Sequence, residues 1–160
     1  MPTLSNDYTT GGSVTITLTS LDSDNWRQST VVDNTTNKYI DAHVGGSIQT
    51  GTTPVAGGKI RIYGYATYNG TNYTAGCSGT DSAYTVSGEQ HLLYFLEEIV
   101  VTATSDQDYE WGPVSIAERF GMYSLPLKWG IVVHQGSSVT TNATGTNNKV
   151  EFVGVKKTSA

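Results

Sequence analysis

The sequence predicts an all-β protein: an antiparallel β-sandwich, jelly-roll-like, with one short helix. Three observations lead there. Only 14% of the residues are charged, against about 25% in an average soluble protein. Gly (18) and Tyr (10) are abundant, and Thr and Ser supply most of the remaining polar surface, a mixture that favours strands and tight turns over helices. Apolar and polar residues also alternate with a period of two in several short runs, separated by Gly-, Asn- and Asp-rich turn signals. At 160 residues the chain suits a single domain that can bury a core without disulfide staples. The lone Cys77 permits no internal disulfide. The predicted division is a flexible N-terminal arm over residues 1–12 and one sandwich domain over 13–160. The arm is polar, contains Gly11-Gly12 and has little apolar surface to bury.

The elements follow in order. Residues 13–18 alternate, placing Val14, Ile16 and Leu18 on one face, and predict the first strand. An acidic loop holding Asp22 and Asp24 comes next, then a strand over 26–32 and turn chemistry over 33–37. A strand over 38–48 is interrupted by Gly45-Gly46, which marks a bulge or a close backbone approach. The clearest strand is 59–68, with Ile60, Ile62, Gly64, Ala66 and Tyr68 on one side and Lys59, Arg61, Tyr63, Tyr65 and Thr67 on the other. Asn69-Gly70 predicts a hairpin with a type I′ turn, in which both central residues take positive φ. Residues 92–102 carry both a helical and an extended pattern, and the β-branched Ile99-Val100-Val101-Thr102 decides for a strand. Residues 115–121 are the predicted helix: Ser115 and Glu118 have capping-box spacing, and Gly121 supplies the stop. Past Pro126 a dense apolar strand begins, in which Trp129, Ile131 and Val133 share one face as core anchors. Residues 150–155 form the last strand.

Little of this sequence points to catalysis. His43, His91 and His134 lie in separate segments without metal-ligand spacing. Glu97-Glu98 is an adjacent pair whose side chains point to opposite faces of a strand, unlike the convergent carboxylates of a glycosidase. The carboxylates of Asp106, Asp108 and Glu110 alternate as hard cations prefer, but the glycine and distal glutamate of an EF-hand loop are missing. No catalytic residue, metal site or cofactor is predicted. The net charge of −5 and the scatter of nine Lys and Arg argue against nucleic-acid binding, which needs clustered cations. No stretch reaches the apolar length of a membrane span. Tyr63, Tyr65, Tyr68 and Tyr73 cluster around the predicted hairpin. They are the candidate interface residues, with sugar stacking and plain sheet packing as the other readings of the same row.

Several segments also stand in a telling order: Trp26-Arg27-Gln28-Ser29, Tyr39-Ile40-Asp41-Ala42, Gly58-Lys59-Ile60-Arg61-Ile62-Tyr63-Gly64-Tyr65-Ala66, Ser78-Gly79-Thr80-Asp81, Gly112-Pro113-Val114-Ser115-Ile116-Ala117 and Leu125-Pro126-Leu127-Lys128-Trp129-Gly130-Ile131-Val132-Val133. Together they resemble a group of tailed-bacteriophage virion proteins, from Trp26 to Lys157. The resemblance implies a non-enzymatic structural component, a capsid decoration or cement protein. Such a protein is made in the bacterial host cytoplasm and resides on the capsid surface of the virion. Its expected partner is the major capsid protein, and self-association as a trimer fits that position. The alternative is a carbohydrate- or receptor-binding module of a tail or fibre. The acidic stretch Leu92-Leu93-Tyr94-Phe95-Leu96-Glu97-Glu98 departs from the group's pattern.

Overall fold

A computed structural model describes residues 4–159. The strands are β1 (Leu4–Tyr8), β2 (Gly12–Ser13), β3 (Trp26–Gln28), β4 (Val32–Asp33), β5 (Asp41–Gln49), β6 (Lys59–Ala66), β7 (Ser82–Ala83), β8 (Tyr94–Val100), β9 (Asp108–Ser115), β10 (Lys128–Gly136) and β11 (Lys149–Ser159), with the short helix α1 (Ile116–Arg119) between β9 and β10. They form two antiparallel sheets. The first runs β1-β11-β5-β9 with β2 also on β11, and the second runs β7-β3-β10-β6-β8 with β4 also on β10. If β1 and β2 count as one edge strand and the short β4 and β7 are set aside, eight main strands remain. In chain order the sheets then read first-eighth-third-sixth and second-seventh-fourth-fifth, which is the double Greek key of a jelly roll.

The main core lies between the sheets. Trp129, Ile131 and Val133 of β10 point into it and are fully buried, beside Ile60, Ile62, Leu96, Val44, Ile48 and Val150. The Trp129 indole meets the Phe152 ring edge-on at 5.4 Å. β10 is buried on its other side too. Val132 joins Tyr65, Ala75, Cys77, Tyr84 and Leu93 in a second, smaller cluster, made where residues 74–93 fold back over the outer face of the second sheet. Burial on both faces explains why β10 reads as a near-continuous apolar run rather than an alternating one.

Gly45-Gly46 turns out to be both a bulge and a close approach. The register of β5 against β9 shifts between Val44 and Gly46. A Cβ at Gly45 would lie 2.7 Å from the Trp111 carbonyl oxygen, and one at Gly46 would collide with the Lys149 carbonyl. β8 is a strand, as its β-branched end predicts. A register shift against β6, between Ile62 and Tyr63, lets Leu96 and Ile99 both reach the core although they are three residues apart. Helix α1 starts as its capping box requires, the Ser115 hydroxyl accepting from the Glu118 amide at 3.1 Å, and Gly121 stops it at φ +66°.

Three expectations need correction. First, the predicted arm is largely a strand: β1 pairs antiparallel with β11, Leu4 opposite Ser159 through Tyr8 opposite Val155. Residues 1–3 lie outside the described part. Second, beyond Gly12–Ser13 the alternating segment 13–18 is not a ladder strand. Val14 and Leu18 are buried as the alternation demands, but the segment crosses from one sheet to the other. The Val14 amide donates to Val150, while the Thr15 carbonyl accepts from Thr30. Third, Asn69-Gly70 is not a type I′ turn, since only Gly70 has positive φ (+85°). The Asn69 carboxamide oxygen instead accepts from the amides of Thr71 and Asn72, at 3.0 and 2.7 Å. The hairpin closes as a wider loop at the Thr67–Tyr73 bridge.

Candidate functional site

The outer face of the second sheet carries an aromatic strip. In the sheet order β3-β10-β6-β8, Trp26 lies opposite His134, and Tyr63 lies opposite Phe95. The Trp26 ring stacks on His134 at 4.1 Å and 15°, and on Tyr63 at 5.6 Å and 26°. Tyr63 in turn meets Phe95 edge-on at 5.9 Å. Trp26 and Tyr63 are half-buried, whereas Phe95 on the edge strand β8 is 48% exposed. Burial, reinforced by the Arg61 charge against a smaller opposing effect of Asp24, pulls the His134 imidazole below its ordinary value. It therefore stacks on Trp26 as the neutral ring. Beside the strip, Glu98 receives Lys59 Nζ at 2.7 Å and Arg61 Nε at 2.9 Å, and these hydrogen bonds hold its carboxyl below the usual range.

The four candidate tyrosines separate. Tyr63 belongs to the strip. Tyr65 is fully buried and its hydroxyl donates to the Ser29 carbonyl at 2.7 Å, so it is a core residue of the smaller cluster and not part of a surface row. Tyr73 is half-buried, edge-on to Tyr65 at 5.8 Å. Tyr68 stands alone at the loop, 71% exposed. The strip's other members, Trp26, His134 and Phe95, were not singled out by sequence. Strict alternation would put Phe95 on the face of Ile99, and only the register shift between Ile62 and Tyr63 turns it outward.

The histidines are dispersed: His43 sits on the first sheet, edge-on to Tyr8 at 5.9 Å, His91 in an exposed turn and His134 in the strip. Glu98 is committed to its two cations, and Asp106 accepts from the Asn142 side chain at 2.8 Å. Burial pushes the Cys77 thiol up to about 12, which keeps it protonated and unreactive at neutral pH. Among the described residues no three His, Cys, Asp or Glu side chains gather as a metal site would require. A concavity of about 600 Å³ lies on the first sheet. Gly45, Gly46, His43, Glu110, Lys149 and Glu151 are among the residues that line it. Its charges are mixed, with Lys149 3.6 Å from Glu151.

The segment crossing between the sheets is anchored at Thr17 by a carboxylate. Asp81 Oδ1 accepts from Arg27 Nε at 2.7 Å and from the Thr17 amide at 3.1 Å, and Oδ2 accepts from the Thr17 hydroxyl. Burial works against the charge of Asp81, but Arg27 and Thr17 outweigh it and hold the carboxyl below its ordinary value. A carboxylate depressed on folding contributes stability that is present above its unfolded pKa, about 3.9, and lost as pH falls through the lower folded value. Asp81→Asn is expected to cost about 1 kcal/mol at neutral pH, the worth of a charge-assisted hydrogen bond reduced for partial exposure. It should also flatten the fall of melting temperature below about pH 4. Parallel melting-versus-pH curves for the two proteins would contradict this assignment.

No protein-family model matches this chain, and no curated protein matches it.

Proposed function

We propose that this protein is a structural component of a tailed-phage virion, a capsid decoration or cement protein that binds the assembled major-capsid lattice. The aromatic strip carries the reading. Its rings stack on one another across four strands and end in the exposed Phe95. That makes an aromatic surface suited to being covered by another protein, with the charged group of Lys59, Arg61 and Glu98 beside it. The jelly roll agrees with this role, because it is a fold shared by viral capsid proteins and lectins. The carbohydrate- or receptor-binding reading is favoured by the exposed Tyr68 and Phe95. A sugar, however, needs a free ring face, and that of Trp26 is taken by His134 and Tyr63.

In the decoration role the protein acts by mass action. A ligand that binds only the assembled shell stabilises it at every site it fills, and repetition across the lattice multiplies modest contacts. Catalysis has no part in this role. The test is copy number in purified particles. Hundreds of copies per particle are expected, a small multiple of three or six would move the protein to tail, neck or fibre, and absence would overturn the reading. On isolated capsids, the double variant Tyr63→Ala, Phe95→Ala is expected to bind about tenfold more weakly or worse.

A further inference from the structure

The two ends of the described chain form a ribbon that rests on the sandwich only at its inner end, where Val155 is buried, Lys156 Nζ lies 5.2 Å from the centre of the Tyr39 ring and Tyr8 meets His43. Pairing of β11 with β5 stops at Val155 opposite Asp41, and beyond it residues 156–159 have β1 as their strand neighbour. All five β1 side chains are exposed, Leu4 at 68% and Tyr8 at 60%. What holds β1 is its backbone ladder, a Ser5–Thr158 hydroxyl bond of 3.1 Å, the edge contact of Tyr8 with His43 and, one residue on, the Thr9 amide and hydroxyl, which both donate to the Gly154 carbonyl at 2.9 and 3.0 Å. A two-stranded ribbon without a packed face is marginal in water.

The joint between β1 and β2 is irregular. From Tyr8 to Gly12 the edge strand takes four steps, while β11 takes three from Val155 to Phe152. The extra residue falls beside Gly11-Gly12. Neither glycine has room for a side chain: a Cβ at Gly12 would lie 2.8 Å from the Phe152 ring, and one at Gly11 3.0 Å from the Phe152 carbonyl. The same residues that fit this space give the backbone its widest conformational freedom.

We propose that β1 is exchanged between copies of this chain, so that Leu4–Tyr8 of one protomer pairs with residues 155–159 of the next in a closed homo-oligomer. The occupant is a second copy because the receiving edge is complementary to this strand: Asp7 faces Lys156, Asn6 faces Lys157 and Ser5 faces Thr158. Every copy offers that same edge. Exchange re-forms the β1 ladder, buries no side chain that was not buried before, and requires a new path through residues 9–12 that gives up the two Thr9 hydrogen bonds to Gly154. This is the usual low-cost route to an oligomer. The inference stands whether or not the protein binds a capsid.

The test uses the full chain with Asn6→Cys and Lys157→Cys, which face each other across the ladder at the separation a disulfide needs. The protein is refolded over a range of concentrations, oxidised and run on a non-reducing gel, with the two single variants and the unmutated chain, which retains Cys77, as controls. Covalent oligomers specific to the double variant and increasing with concentration are expected. Light scattering should give a multiple of the chain mass that falls to the monomer when residues 4–10 are deleted. A single-chain band at every concentration, no cross-link in folded protein, equal oligomer bands in a single variant, or an oligomer that survives the deletion would each overturn the proposal. Should the cysteine variants fail to fold, light scattering on the unmutated chain and the deletion decides alone.

Discussion

Trp129→Ala should lower folding stability by about 3–5 kcal/mol, the cost of truncating a fully buried large aromatic. Trp129 has no exposed surface, lies between Val32 on β4 and Ala66 on β6, and braces the Phe152 ring of the opposite sheet. The cavity would therefore open between the sheets, where both walls are fixed by ladders. For a chain of this size the loss corresponds to a fall in melting temperature of roughly 6–20 °C. The indole Nε1 is buried without a hydrogen-bond partner, so Trp129→Phe should cost distinctly less than Trp129→Ala. Denaturant titration of the three proteins checks the order. An unchanged melting temperature combined with lost particle binding would make Trp129 a contact residue instead.

Tyr65→Ala should cost a comparable amount, about 3–5 kcal/mol, and Tyr63→Ala much less, about 0.5–1.5 kcal/mol for lost aromatic pairing. Both residues lie on the same face of β6, two positions apart. Their difference comes from what covers them. Ala75, Cys77, Tyr84 and Leu93 cluster with Tyr65, which is fully buried, and Gly130 leaves the space its ring occupies. Burial drives its phenol pKa far up, so the hydroxyl remains a donor to Ser29 throughout the physiological range. Tyr65→Phe, which strands the Ser29 carbonyl, is expected to cost about 1 kcal/mol. Equal losses for Tyr63→Ala and Tyr65→Ala would refute the division of the tyrosines into surface and core.

The same pair shows how far the sequence could be read. Period-two alternation placed Tyr63 and Tyr65 together opposite Ile60 and Ile62, and the structure agrees. Alternation, however, reports only which side a residue faces, and the cover over Tyr65 arrives from a distant excursion. Segment 13–18 makes a related point. Val14 and Leu18 are buried and Ile16 half-buried, yet the segment's hydrogen-bond partners, Val150, Thr30 and Asp81, are set by the crossing between sheets. Helix α1 and the Gly45-Gly46 bulge were legible because their chemistry is local. The aromatic strip was not, since Trp26, His134, Tyr63 and Phe95 meet only once the strand order is fixed.

The burial of β10 on both faces, and its place beside β3, β4 and β6, has a consequence for how the chain is made. β10 is interior to one sheet and β11 to the other. A nascent chain that has reached Leu127 can form the β5–β9 and β6–β8 pairs, but β1, β2 and β4 still lack their ladder partner. Neither layer closes until residues 128–159 have been synthesised. Contacts of such high sequence separation fold slowly, and until they form, the apolar faces of both half-built sheets stand open to other chains. Production should thus depend on slow release from the ribosome and low temperature more than on any change to the surface, and truncations ending before Lys128 should accumulate as aggregates, not as smaller folded domains.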